Sequence, residues 1–198
     1  MDKKELIDSL RMQGFSENIM EAFMMVQREE FIDEGLKGSA YEDHPLPIGF
    51  GQTISQPTTI AIMLELLELK DSQKILEIGS GSGYVLALIA YITRNSEIYG
   101  VERMKNLAER SMEVLKNHKN VMIVHADGTR GLKENAPFDR ILVSASADKI
   151  PEKIIEQLID GGIAVIPIKN SIMKIRRKGK EYYADEYYGF TFVPLVED

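Results

Sequence analysis

The hydrophobic positions of this chain change from helical spacing to short apolar runs near residue 70. In the N-terminal part, Ile19, Ala22, Phe23 and Val26 follow one another at i, i+3, i+4 and i+7, which predicts a helix with one buried face. Ser16 is placed to cap the start of that helix. The same reasoning predicts three helices before residue 70, at 3–13, 17–31 and 58–69.

Beyond residue 70, strand patterns alternate with helix patterns. Apolar runs such as Ile141–Val143 and Ile163–Ile166 are typical of strands buried on both faces. The patterns predict strands at 74–79, 97–102, 121–126, 140–145 and 163–168, and helices at 84–94, 104–117 and 151–160. Because such alternation gives parallel strands with right-handed crossovers, we predict a three-layer, Rossmann-like, doubly wound α/β fold with a mostly parallel sheet.

The C-terminal part departs from this alternation. Two β-rich runs within 171–195 flank the turn Lys178-Gly179-Lys180, which predicts a terminal antiparallel hairpin. The basic residues around that turn are interpreted as a solvated surface, with a patch for an acidic partner as the alternative. We expect one domain over 1–198, divided into a helical cap with an active-site loop (1–70), a Rossmann-like core (71–170) and the hairpin (171–198).

A long segment between the second and third predicted helices is rich in glycine and proline. Residues 38–57 hold three of each, with few helix-forming or alternating residues. A loop of this length inside a compact chain is usually either functional or disordered. Apolar side chains that can anchor it favour the functional interpretation: Tyr41, Leu46, Ile48, Phe50 and Ile54.

Composition and charge exclude several classes of site and partner. The 24 Lys and Arg residues against 31 Asp and Glu give a net charge of −7, whereas nucleic-acid binders usually present a basic face. The absence of cysteine excludes thiolate metal sites, and His44, His118 and His125 lack ligand spacing, so we expect no metal. No apolar run approaches the roughly 20 residues that span a bilayer, and no export signal is recognised. We therefore expect a cytoplasmic monomer without nucleic-acid or membrane partners.

The motif ILEIGSGSGY at 75–84 is the most informative in the chain. An apolar run ends in an acid, and Gly79, Gly81 and Gly83 then alternate with serines before a helical pattern begins. Such glycines let the backbone turn sharply and approach a ligand closely. A dinucleotide loop would read G-x-G-x-x-G, and the different spacing here favours another nucleoside cofactor. S-adenosylmethionine, which has no pyrophosphate, is the main candidate.

Polar residues end the first three predicted strands, where ligands bind in such sheets. Glu77 could accept hydrogen bonds from the amino-acid part of the cofactor. Glu102 lies 19 residues after Gly83, close to the ~20 expected for an acid that binds ribose hydroxyls, although a surface salt bridge is the alternative. Asp127 and Gly128 are placed to meet an adenine edge.

With these motifs in place, the chain resembles the protein-L-isoaspartate O-methyltransferases over nearly its whole length. The glycine loop is common to many methyltransferases, whereas PLPIGFGQTIS at 45–55 is highly specific to this family. The resemblance also covers QREEF (27–31), GVERMKNLAERS (100–111), HADGTRGLKENAPFDRI (125–141), the P-x-x-x-x-E-Q-L-x-x-G-G run at 151–162 and FVPL (192–195).

The resemblance implies an activity and an active-site loop. Members transfer a methyl group from S-adenosylmethionine, leaving S-adenosyl-L-homocysteine, to the free α-carboxylate of L-isoaspartyl residues in damaged proteins and peptides. The ester then forms a succinimide, which starts repair. By resemblance, Ser55 is the active-site residue. Thr53, Ile54 and Ser55 suit both the aiming of the acceptor carboxylate and the exclusion of water, and Gln52, Thr53, Ile54 and Ser55 are also expected to contact the cofactor.

The residues leave alternatives open beside this interpretation. A carboxylate, with a reference pKa near ~3.9, is already ionised and needs no base, although His44 is the candidate if one is required. Ser55 could instead cap the helix that begins near Pro57, and Gln52 could stabilise the loop. The segment 169–180 departs from the family pattern, which leaves room for another methyl acceptor. A catalytically silent cofactor-binding module is the third interpretation.

Overall fold

A computed structural model of the chain describes residues 1–196 and contains six α-helices and nine strands within them. The helices are α1 (Lys3–Met12), α2 (Glu17–Met25), α3 (Pro57–Leu67), α4 (Tyr84–Ile92), α5 (Lys105–Val114) and α6 (Glu152–Ile155). The strands are β1 (Leu46–Gly49), β2 (Gln52–Ile54), β3 (Lys74–Ile78), β4 (Glu97–Glu102), β5 (Val121–His125), β6 (Phe138–Val143), β7 (Leu158–Ile168), β8 (Ser171–Lys178) and β9 (Glu181–Tyr188). The last two residues of the predicted 171–198 hairpin segment lie outside the described residues.

Seven of these strands form one sheet, in the order β5-β4-β3-β6-β7-β8-β9. The pairs from β5 to β7 are parallel, and β8 and β9 add to the edge in antiparallel fashion. The α/β class, the mostly parallel sheet and the C-terminal hairpin predicted from the sequence are therefore confirmed. Since β3 pairs with β4 on one side and β6 on the other, the strand order reverses there, and ligands bind at such a switch point.

The two faces of the sheet bury separate apolar clusters. One face packs against α1 to α5 through residues such as Phe23, Leu64 and Leu86. The other face packs Phe138 and Ile166, among others, against the short helix α6 and nearby turns. The helix on the second face, α6, is thus much shorter than the helix that the pattern at 151–160 predicts.

That difference arises where the chain enters β7. The side chain of Gln157 accepts a hydrogen bond from Leu132 N at 2.8 Å and donates one to the carbonyl of Arg130 at 2.7 Å. These contacts attach the chain to the turns after β5, and Leu158 already pairs with Phe138 in the sheet. Tertiary contacts therefore end the helix at Ile155, and the prediction of a helix to 160 is wrong.

The second predicted helix is also shorter than its apolar spacing indicates. It ends at Met25, because Val26 adopts an extended conformation and a 3₁₀ turn follows at 28–31. The redirected chain buries Arg28 and Phe31. Ser16 precedes the helix but makes no side-chain cap; its hydroxyl instead donates to Glu65 at 2.8 Å.

The glycine- and proline-rich segment contains a hairpin that its sequence does not reveal. Strands β1 and β2 pair Leu46 with Ile54, around a turn in which residues 49–51 all have positive φ. The expected apolar anchors Leu46, Ile48 and Ile54 are buried, but Phe50 is 53% exposed at the tip. The hairpin places the last residues of β2 beside the carboxyl ends of the parallel strands.

Residues 1–196 contain neither a candidate membrane span nor a candidate metal-binding cluster. No helix there is long and apolar enough to cross a membrane. Likewise, no cluster of three or more histidine, aspartate or glutamate side chains in that range is arranged to hold a metal ion.

Candidate active site

The glycine loop between β3 and α4 folds over the ends of two parallel strands. Gly79 N and Ser80 N both donate to the carbonyl of Val101, at 2.8 and 3.1 Å. Gly79, Gly81 and Gly83 have φ values of +76°, +53° and +86°, in the left-handed region that favours glycine. The three predicted glycines are thus required by the turn itself, which exposes backbone along one side of a pocket.

Three adjoining spaces surround this loop and share wall residues. The inner pocket holds about 40 Å³ and is lined by Ser55, Glu77 and the glycine loop. The edge pocket, of about 50 Å³, shares Gly79 with it and is lined by Glu102 and Gly128. The outer groove, of about 470 Å³, shares three hydroxyl residues with the inner pocket: Thr53, Ser55 and Ser144. The two small pockets thus meet at Gly79, and the inner pocket meets the outer groove at the three hydroxyl residues.

Glu77 lies at the end of β3, at the base of the inner pocket. Its side chain is only 1% exposed, and its Oε1 accepts a hydrogen bond from Ser144 Oγ at 2.7 Å. The other oxygen, Oε2, is buried and has no hydrogen-bond partner within residues 1–196. Burial raises the pKa of Glu77 to about 8, although the Ser144 hydroxyl lowers it, and the charge of Glu102 raises it further. An unsatisfied buried carboxyl group of this kind is suited to a cationic ligand.

Glu102 ends β4 and connects the glycine loop to α5. One carboxylate oxygen accepts from Gly81 N and the other from Met104 N, both at 2.8 Å. It lies in the wall of the edge pocket and is 5% exposed, so the alternative of a surface salt bridge does not describe its main contacts. Each oxygen keeps a further lone pair, so the group can still accept hydroxyl donors from a ligand.

Asp127 and Gly128 follow β5 but take different positions. Both carboxylate oxygens of Asp127 accept hydrogen bonds from Thr129, one from its backbone N–H and one from its hydroxyl. Gly128 lines the edge pocket, and a Cβ atom there would lie 2.5 Å from Ile78. The close approach to β3 therefore explains the glycine, while Asp127 shapes the turn that holds it in place.

The hairpin segment brings all four predicted loop residues to these spaces. Gln52 lines the edge pocket, and Thr53, Ile54 and Ser55 line the inner pocket. Within residues 1–196, the hydroxyl of Ser55 makes no hydrogen bond. The alternative of Ser55 as a helix cap is wrong, since the first turn of α3 is held by Asp43, which accepts from Thr58 N at 2.8 Å.

Sequence reasoning missed two parts of the site. Ser144 follows the last residue of β6, so the rule that selected Glu77 and Glu102 would also have found it. The C-terminal segment at 189–196 lines both the outer groove and the edge pocket. It is held by Ser146, which donates to Val193 O at 2.7 Å and accepts from Leu195 N at 2.8 Å. No local pattern indicates that contact.

The chain matches a known protein family over its full length. Residues 1–198 match the family described as Protein-L-isoaspartate(D-aspartate) O-methyltransferase (PCMT). The chain belongs to this family. The resemblance inferred from the PLPIGFGQTIS motif is therefore confirmed.

Relatives of this family member are similar along its length. The protein-L-isoaspartate O-methyltransferase of Serratia proteamaculans is 44% identical, over 97% of this chain and 94% of the relative. That of Ignicoccus hospitalis is 41% identical, over 99% and 98%. A solved protein-L-isoaspartate O-methyltransferase (PCMT) structure from Plasmodium falciparum, in complex with S-adenosyl-L-homocysteine, is 28% identical with a TM-score of 0.88 and covers 100% of both chains.

Proposed function

We propose that this family member transfers the methyl group of S-adenosylmethionine to the free α-carboxylate of L-isoaspartyl residues in damaged proteins and peptides. The observation that carries the proposal is the shared wall of hydroxyl residues between the inner pocket and the outer groove. A donor in the pocket and an acceptor in the groove would meet at that wall. The enzyme is thus an S-adenosylmethionine-dependent methyltransferase, as its family membership and the sequence both indicate.

The residues around the pockets fit the cofactor. When bound, S-adenosylmethionine supplies a methyl group on a positively charged sulfur. The unpaired oxygen of Glu77 would face the cationic amino-acid part, and Glu102 would accept the ribose hydroxyls. Gln52 and Gly128 would form the adenine side, with Asp127 holding the turn that contains Gly128. Because the glycine loop presents backbone without Cβ atoms, it allows close contact along the ligand.

Ser55 is the residue we propose to orient the acceptor. Its unpaired hydroxyl can donate to the isoaspartyl carboxylate and aim that group at the methyl carbon. The carboxylate is the nucleophile and carries no proton at neutral pH, so no general base is needed. The anionic acceptor and the cationic donor both lose charge at the transition state. A pocket shielded from water by Thr53 and Ile54 favours that step, because the charged reactants are less well solvated there than in an open site.

The product of this reaction starts repair. The methyl ester carries a methoxy leaving group that the ionised carboxylate lacks, so the neighbouring backbone nitrogen attacks the ester carbonyl, loses its proton and expels methanol as it closes a succinimide. Hydrolysis of that ring returns part of the chain to the normal aspartyl linkage. The substrates are therefore isoaspartyl proteins and peptides. Monomeric state, cytoplasmic location and the absence of nucleic-acid or membrane partners stay predictions, which light scattering, cell fractionation and binding assays can measure.

The segment that departs from the family pattern borders the outer groove without lining it. The carbonyl of Asn170 accepts from Gly189 N and Phe190 N, both at 3.1 Å, and the carbonyl of Lys169 accepts from Ser146. Gly189 and Phe190 line the groove, so changes at 169–170 act on its wall from behind. This observation favours altered peptide preference rather than a different acceptor group.

Paired peptides that differ only in Asp or isoAsp linkage test the proposal. We expect labelled cofactor to give base-labile methylation of the isoAsp peptide alone. Methylation of some other group would establish a different acceptor. Bound cofactor with neither peptide labelled would instead favour the silent binding module.

A further inference from the structure

A buried arginine lies directly behind residues 52–55, which we call the acceptor loop. Arg28 is 0% exposed, and its Nη1 donates to the backbone carbonyl of Ser55 at 2.9 Å. The two residues are 27 positions apart in the chain, so this bond joins the turn after α2 to the end of the β1–β2 hairpin. The guanidinium thus contacts the backbone of the residue that we propose to orient the acceptor.

Most of the hydrogen-bonding capacity of this guanidinium is unused. Its Nε and Nη2 are buried and have no partner within residues 1–196, and no carboxylate of that range forms a salt bridge with it. Its Cζ lies 5.4 Å from the centroid of the Tyr84 ring. A buried charge with so few partners destabilises a fold, and an apolar side chain of similar length would be expected to serve stability better.

The neighbours of Arg28 belong to both halves of the site. Tyr84 is the first residue of α4 and lines the inner pocket directly after the glycine loop. Burial lowers the pKa of Arg28, whereas Tyr84, Asp43 and Tyr41 act in the opposite direction. Asp43 in turn holds the start of α3, immediately after Ser55. The guanidinium therefore contacts both the first residue of α4 and the backbone of Ser55, and it interacts electrostatically with the residue that holds the start of α3.

We propose that Arg28 is a positioning residue, which holds the backbone of Ser55 so that its hydroxyl points toward the acceptor carboxylate. The inference rests on the proposed role of Ser55. It gives a reason for a charged side chain at a position where the charge does not favour stability. It also predicts that Arg28 acts on the acceptor and not on the cofactor, because its hydrogen bond goes to the acceptor loop.

Three variants test this: Arg28→Met removes donor and charge, Arg28→Gln keeps a neutral donor and Arg28→Lys keeps charge and donor. For Arg28→Met we expect a fall of about tenfold or more in kcat/KM for the isoAsp peptide, as for loss of one hydrogen bond to a charged group. The dissociation constant of S-adenosyl-L-homocysteine should stay within about threefold, and the melting temperature should not fall. Arg28→Lys should recover most of the activity, and Arg28→Gln less.

A matched control and a readout independent of activity separate positioning from folding. Arg140 is also buried and donates to the carbonyls of Leu67 and Glu68, away from the site. Arg140→Met should lower the melting temperature and leave the KM for the peptide unchanged. Hydrogen exchange should quicken at 52–58 in Arg28→Met but not at 79–83.

The outcomes decide between the two proposals. A folded Arg28→Met protein with wild-type kcat/KM, or with unchanged exchange at 52–58, would overturn the role of Arg28. If Arg28→Met does not fold, Arg28→Lys decides, because full activity with an unprotected loop would also overturn it. If the wild-type protein methylates neither peptide, the proposed function fails, whereas the exchange measurement still tests Arg28.

Discussion

Replacing Glu77 with glutamine should stabilise the free protein at neutral pH. In the unfolded chain the carboxyl ionises near its ordinary pKa of 4.5, but in the folded protein burial raises the pKa to about 8. Between these values the folded state binds one proton more than the unfolded state, so the free energy of unfolding falls as the pH rises. The slope is about 1.4 kcal/mol per pH unit, which amounts to roughly 3 kcal/mol between pH 4.5 and pH 7 and about 5 kcal/mol above pH 8.

Glutamine cannot ionise and can still accept the hydrogen bond from Ser144. Urea unfolding of the cofactor-free proteins at pH 5, 6, 7 and 8 should therefore give nearly equal stabilities at pH 5 and a growing advantage for Glu77→Gln above it. The affinity of the wild-type protein for S-adenosylmethionine should rise over the same range, because a cationic ligand favours the ionised carboxylate. Parallel pH curves for the two proteins would refute the reasoning.

Three further predictions concern the acceptor loop and the edge pocket. Ser55→Ala should lose most methyl transfer while calorimetry still detects S-adenosyl-L-homocysteine, and wild-type activity would contradict its role. His44→Gln should keep kcat within about twofold at pH 6–8. Pro45 and Glu42 raise the pKa of His44, so at neutral pH a larger fraction of it is protonated and unable to accept a proton. A steep loss of kcat below pH 7 in the wild type alone would instead show that His44 acts as a base. Glu102→Gln should weaken cofactor binding about tenfold in the same calorimetric assay, through loss of a charged acceptor, and an unchanged affinity would exclude a ribose contact.

The parts of the site that follow parallel strands could be predicted from the sequence. Glu77 and Glu102 end short apolar runs, and the carboxyl ends of parallel strands meet at one edge of a sheet. The glycine spacing selected the class of cofactor, because each glycine occupies a backbone conformation that other residues rarely adopt. These features are local, so a short stretch of sequence specifies them.

The missed features depend on contacts between distant parts of the chain. The apolar spacing of α2 continues past Met25, but burial of Arg28 against Ser55 and packing of Phe31 on Tyr84 redirect the backbone. Likewise, Gln157 ends α6 through bonds to residues about 25 positions earlier. Helical periodicity reports which face of a segment is apolar, and it does not report where a tertiary contact interrupts the segment.

The position of residues 189–196 at the C-terminal side of the sheet affects when the binding site forms while the chain is being translated. A nascent chain that has been made as far as β8 already has every parallel strand, the glycine loop and the β1–β2 hairpin. One wall of the outer groove and one wall of the edge pocket are still missing, because residues 189–196 form them. The parallel strands can thus pair before either substrate space is complete, and the binding site becomes enclosed only when residues 189–196 reach Ser146.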